Sequence, residues 1–226
     1  MSRFEVIEND QVIIDIYSKI SEFEDLDKGW AHHNLAHVKN VANLVDVLLR
    51  KLEYDECFIE EAKIAAILHD IGAIEGKKNH SLRSYIFAKE YLKNNNIILE
   101  NESLVLEAIR IHSDGFESDN MIALALILSD KLDIKYTRVA KEGYHVKGMK
   151  ELQYIKDIVV NIQNHHLEIQ FICDDKIDRD ELEDFYFIIK VFKSIISFAQ
   201  KTDLTPKVRF NNDEWQLFNE MLLKNN

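Results

Sequence analysis

The stretch Ala65-Ala66-Ile67-Leu68-His69-Asp70-Ile71-Gly72 decides how this chain is read. Its apolar residues continue a helical period that begins near residue 56, and the run stops at an imidazole, a carboxylate and a glycine. Further ligand-type side chains lie on both sides: His33 and His37 before it, His80, His112 and Asp130 after it. Imidazole nitrogens and carboxylate oxygens are the donors that borderline divalent metals accept. Spread over successive predicted helices, these residues point to one metal site assembled by the whole helical core. Taken singly, each has an ordinary explanation. A lone His on an apolar face can be a hydrogen-bonded core residue, and Asp130 can pair with Lys131, Lys135 or Arg138. A carboxylate inside so apolar a helix is costly unless it is paired or metal-bound.

Outward from that stretch, apolar spacing predicts helices over about 10–23, 33–52, 56–70, 80–92, 101–112 and 121–136. Lys28-Gly29-Trp30 reads as a break, and Gly72 and Gly76 open a polar loop. The pattern changes near residue 154. Ile158, Val160 and Ile162, then Leu167, Ile169 and Phe171, alternate with period two around Asn164-His165-His166, which predicts a β-hairpin. An acidic loop and helices over about 181–200 and 214–223 follow. The expected fold class is mostly α. A helical domain over 1–148 is followed by an appendage over 149–226, made of a C-terminal β-hairpin and two further helices.

Composition limits the partners. The chain has 226 residues, one proline, six glycines and a formal net charge of -12. Such acidity argues against a polymeric nucleic acid as partner. A small anionic ligand remains compatible, because a metal and a few local cations reverse the field. Cys57 and Cys173 lack metal-type spacing and read as thiols of a reducing compartment, so a cytoplasmic location is expected. The polar, acidic residues 1–10 do not read as a signal peptide, and the apolar run over 121–128 is too short to span a bilayer.

Three segments together carry a resemblance: His37-Val38 with Val41, Leu68-His69-Asp70-Ile71-Gly72, and Ser129-Asp130-Lys131-Leu132-Asp133. In this order they resemble the HD superfamily of metal-dependent phosphohydrolases, over about residues 33–138. The resemblance implies a helical bundle in which His37, His69, Asp70 and Asp130 hold a first ion. His80 and His112 match the extra histidines of binuclear members, where the aspartate of the His-Asp pair bridges two ions. The set of six is similar to that of bacterial HD hydrolases of diadenosine tetraphosphate. One or two divalent ions (Fe, Mn, Co, Ni, Zn or Mg) are thereby implied. His33-Asn34-Leu35-Ala36-His37 also resembles a segment of cyclic-nucleotide phosphodiesterases whose first His protonates the leaving group, which makes His33 a candidate acid. Two features depart from common patterns. Ala73 stands where many HD proteins have Lys, and Ala73-Ile74 replaces the Glu-Asp pair of hydrolases of guanosine tetraphosphate.

The resemblance implies hydrolysis of a small phosphorylated substrate, a nucleotide above all. Lys131, Arg83 and Arg138 are the expected cations for its phosphate, and Lys131 is also a catalytic candidate. Lys77 and Lys78 read as surface charge. Two rivals share the ligand set: an HD-fold di-iron oxygenase and a non-catalytic nucleotide-binding module. The appendage is expected to narrow the site mouth or to mediate homodimer contacts.

Overall fold

The computed structural model describes residues 1–26 and 30–224, so the expected break at Lys28-Gly29 falls outside the described residues. The chain is mostly helical, and its strands are confined to the C-terminal part. It separates into two compact units: Met1–Asp27 with His33–Asp130, and Lys28–His32 with Lys131–Asn226. The boundary expected at residue 148 lies inside the second. Among the described residues, no helix is long and apolar enough to cross a membrane.

The first unit contains α1 (Arg3–Glu8), α2 (Gln11–Leu26), α3 (Leu35–Lys51), α4 (Glu56–Leu68), α5 (His80–Asn94), α6 (Glu102–Ile111) and most of α7 (Met121–Leu132). Sequence reasoning did not foresee α1. It is held by a capping box, in which the Ser2 hydroxyl accepts from Glu5 N–H while the Glu5 carboxylate accepts from Ser2 N–H. α4 is the central element. Residues Ile64 to Leu68 are wholly buried, so its last turns are enclosed on every side rather than along one stripe. The buried Tyr17 hydroxyl donates to Ile67 O at 2.5 Å and ties α2 to that end of α4.

Two helix boundaries differ from the expected ones, each for a local reason. α3 starts at Leu35 because the Asn34 side chain accepts from His37 N–H at 3.1 Å and caps it. His33 therefore precedes the helix and does not share a helical face with His37. α7 ends at Leu132 instead of near 136, and Tyr136–Arg138 forms a separate 3₁₀ turn in which Arg138 N–H donates to Lys135 O at 2.8 Å.

In the second unit β1 (Ile155–Gln163) and β2 (His166–Cys173) form the expected antiparallel hairpin. The hairpin is half of a four-stranded sheet. After α8 (Arg179–Glu183) and α9 (Tyr186–Lys201), β3 (Thr205–Phe210) returns parallel to β2, and the two-residue β4 (Asp213–Glu214) pairs antiparallel with β3. α10 (Gln216–Lys224) closes the chain. The face carrying Leu167, Ile169 and Phe171 is fully buried. Trp215 fills the core of this unit, edge-on to Phe171, Phe192 and Phe210 at 5.0–5.2 Å. Its indole N–H is satisfied by Glu183 at 2.6 Å.

Candidate metal centre

The metal-type side chains come from the ends of helices rather than from one surface. His37 lies in the first turn of α3, His69 is the residue that ends α4, and Asp70 follows it. His80 opens α5 and His112 ends α6. Asp130 lies in the last turns of α7. A helix end directs a side chain past its last turn, and several ends converging leave a gap lined by their terminal side chains.

These six residues form two overlapping clusters in the first unit. His37, His69, Asp70 and Asp130 make one, and Asp70, His80 and His112 make the other, with donor atoms within 4.8 Å of one another in each. In the first, His37 Nε2 is 3.5 Å from Asp70 Oδ2 and 3.3 Å from Asp130 Oδ1. His69 Nε2 is 3.3 and 3.8 Å from the same two oxygens. In the second, Asp70 turns its other oxygen, Oδ1, toward His80 Nε2 at 3.2 Å and His112 Nε2 at 3.5 Å. Asp70 therefore faces both clusters at once. All of these residues are buried except His80, which is partly exposed.

Three of the histidines are oriented by the same device. His69 Nδ1 lies 2.7 Å from Ala66 O, His80 Nδ1 2.8 Å from Lys77 O, and His112 Nδ1 2.8 Å from Ile109 O. A carbonyl only accepts, so Nδ1 carries a proton and Nε2 is the nitrogen turned to the cluster, with a free lone pair wherever the ring is neutral. The consequence is sharpest between His80 and His112, whose Nε2 atoms are 2.9 Å apart. Two lone pairs at that distance repel unless a cation or a shared proton sits with them. In the other cluster His69 Nε2 is fully buried and makes no hydrogen bond among the described residues. The donor set thus fits one or two divalent cations, with Nε2 nitrogens and carboxylate oxygens converging and backbone carbonyls as second-layer anchors.

The electrostatics agree. Burial opposes a charge on His69, but the Asp70 and Asp130 carboxylates outweigh it and hold the imidazole up at about 10. Burial likewise opposes ionisation of Asp70, yet His69 and the other surrounding histidines keep it well below the usual carboxylate range. Burial pushes His112 down to about 4 against the pull of Asp70, so this ring stays neutral. Without a cation, the site holds its carboxylates ionised by keeping a proton on a histidine.

Gly72 explains the glycine after the His-Asp-Ile string. The chain folds there into a 3₁₀ turn, Ile71–Glu75, pressed onto the start of α5. A Cβ on Gly72 would lie 2.4 Å from His80 O and 2.5 Å from Ser84 N, so only glycine fits. Gly72 N–H donates to the buried Ser84 hydroxyl at 2.9 Å.

Residues 34–135 match the family model of the HD domain. This stretch is an HD domain. Among curated proteins no match to the chain was found. The HD domain holds all six metal-type residues, and His33 lies one position before the matched residues.

His33 is nevertheless fixed in place. The Glu24 carboxylate, on α2, accepts from His33 N–H at 2.7 Å and is in close contact with His33 Nδ1. The Lys77 ammonium closes on the other ring nitrogen, Nε2. Glu24 and Lys77 were missed by sequence reasoning, because nothing local marks an acid 9 residues upstream or a loop lysine 44 residues downstream as partners of one ring. Arg83, expected to bind substrate, staples its own loop. It donates to Gly72 O at 2.8 Å and Lys78 O at 2.6 Å, and closely to Gly76 O. In the second unit Lys131 is buried, its ammonium 5.8 Å from the centroid of the Phe187 ring. Arg138 is also buried, 3.9 Å from Asp133.

Proposed function

We propose that the chain is a metal-dependent phosphohydrolase acting on a small phosphate ester or anhydride, with nucleotides as the substrate class. The observation that carries this reading is Asp70, whose two oxygens face separate histidine clusters and so can bridge two cations. Cations held there would lower the pKa of a bound water and neutralise charge on a phosphoryl group. His37, His69 and Asp130 would hold the ion on the Oδ2 side, His80 and His112 the ion on the Oδ1 side. The net charge of -12 favours a small substrate over a polymer.

His33 is the proposed general acid. With Glu24 accepting from Nδ1–H, the exchangeable position is Nε2, where Lys77 also lies. The Lys77 ammonium would donate to the Nε2 lone pair and so supply the proton that His33 passes to a leaving oxygen. Lys131, the residue after Asp130, is retained as the candidate cation for the phosphate.

The test is a metal analysis of purified protein joined to a phosphate-release screen over nucleotides, dinucleoside polyphosphates and p-nitrophenyl phosphate, with each divalent ion supplied in turn. His33→Ala should lower turnover by roughly 10²–10⁴-fold on nucleotides. It should lower turnover less on p-nitrophenyl phosphate, whose leaving group needs no proton, and leave metal content unchanged. Equal losses on both substrates would remove His33 from the acid role. No phosphate release with any ion, combined with oxygen uptake by the iron form, would transfer the assignment to an oxygenase.

A further inference from the structure

We propose that the open edge of the C-terminal sheet, strand β1, is a self-association surface at which a second copy of this chain pairs antiparallel about Val160. The hairpin turn fixes which way each backbone group of β1 points. Asn164 and His165 both have left-handed backbone angles, with φ of 49° and 61°, which makes a two-residue turn of the type that matches strand twist. Such a turn is closed by a hydrogen-bonded pair, here Gln163 and His166. Bonding then alternates along the ladder, so Asn161 and Val159 also point their backbone groups at β2. Ile158, Val160 and Ile162 therefore point theirs the other way.

On that other side no strand is paired among the described residues. In the strand order β1-β2-β3-β4, β1 ends the ladder. Ile158 N–H is met there by the Asp157 side chain of its own strand, at 2.9 Å, as an outward amide would be. The opposite edge, β4, is only two residues long, whereas β1 has nine. A long edge strand rich in Ile and Val is a template that proteins ordinarily cover or charge. From Ile158 to Gln163 this one carries no ionisable side chain.

The pattern of the strand selects its partner. Ile158, Val160 and Ile162 are spaced symmetrically about Val160. They share a face with the fully buried Phe171, Ile169 and Leu167 opposite them on β2, but are themselves only partly covered. Antiparallel pairing centred on Val160 places Val160 against its own copy and Ile158 against Ile162 of the second chain. The outward amides and carbonyls are then matched, and the partly covered apolar row runs on into its symmetry mate. Asp157 falls opposite Gln163 of the second copy, and its charge is met by Lys135 of its own chain at 3.3 Å. Two chains of net charge -12 thus meet along a seam with no like charges facing each other. A single strand pair falls short of the roughly 1,200 Å² of a standard interface, so the dimer is weak and concentration decides its population.

The test is sedimentation velocity over a wide range of concentration, with hydrogen exchange at its two ends. Rising concentration should move the mass from 26.5 kDa toward twice that value. It should also slow exchange at the amides of Val160 and Ile162, while those of Val159 and Asn161, already bonded to β2, and of Ile158, already bonded to Asp157, stay unchanged. Val160→Pro and Val160→Lys should abolish the shift and leave circular dichroism unaltered. The proline removes only an outward N–H, so it spares the intrachain ladder. A wild-type chain that stays monomeric at its solubility limit would overturn the proposal. So would a dimer that survives both variants, or protection confined to another segment. None of these outcomes depends on what the metal site does.

Discussion

Replacing Gly72 by Ala should damage the metal centre without touching a ligand. The added methyl would sit 2.4 Å from His80 O, which is 1.0 Å inside the 3.4 Å at which ordinary contact begins. The two nearest obstructing atoms belong to the backbone of α5 and the third is the Arg83 Cβ, so no side-chain rotation can relieve them. The first turn of α5 must shift by about the same amount, and it carries His80. Metal–ligand distances tolerate only about 0.2 Å. A displacement several times larger should therefore lose the ion on the His80–His112 side and keep the one on the His37–His69 side. Overpacking of this kind typically costs about 1–3 kcal/mol. For a chain of this length that corresponds to a fall in Tm of roughly 2–12 °C. Plasma emission spectrometry of the purified variant should find about one ion per chain fewer than in the parent, and scanning calorimetry should find the lower Tm. Unchanged metal content and Tm would refute the steric argument. A lower Tm with both ions retained would show that the turn, not α5, gives way.

Two further outcomes follow from the centre itself. Asp70→Asn, nearly isosteric, should empty both clusters together, because one carboxylate serves each through a different oxygen; loss of only one ion would show that Asp70 does not bridge. Metal uptake should also release protons. His69, held at about 10 by its carboxylate neighbours, carries a proton at neutral pH that a ligand nitrogen must give up, whereas His112 at about 4 is already neutral. Affinity should thus rise with pH through the neutral range, by up to tenfold per unit for the one proton displaced. Titration calorimetry in buffers of different ionisation enthalpy should report release near one proton per ion on the His69 side; no dependence on the buffer would sink the argument.

Much of the first unit was legible because its signals are local. The His69-Asp70 pair at the end of an apolar run, the start of α5 at His80 and the end of α6 at His112 each follow from period and breaker within a dozen residues. The same kind of signal was present but unread at the N-terminus, where Ser2 and Glu5 spell a capping box. Asn34 as a cap competes with the reading of His33 as helical, and the cap won. The second unit was harder. β3 depends on pairing with β2 from more than 30 residues away, and Pro206 at its start argues locally against a strand. The alternation that places Val208 and Phe210 inward was the available clue. The partners of His33 and the stapling role of Arg83 had no sequence signal at all, since both depend on how loops close in space.

The histidines at the ends of α4 and α6 have an electrical consequence. The N-terminal poles of α3 and α5 reach the same gap with His37 and His80, offsetting the C-terminal poles of α4 and α6, which carry a partial negative charge. Asp70 and Asp130 add full charges of the same sign. The bare gap therefore attracts cations and turns anions away. An anionic ligand would accordingly be favoured only after cations have inverted the local field, so the two kinds of ligand should bind in order, cation before anion.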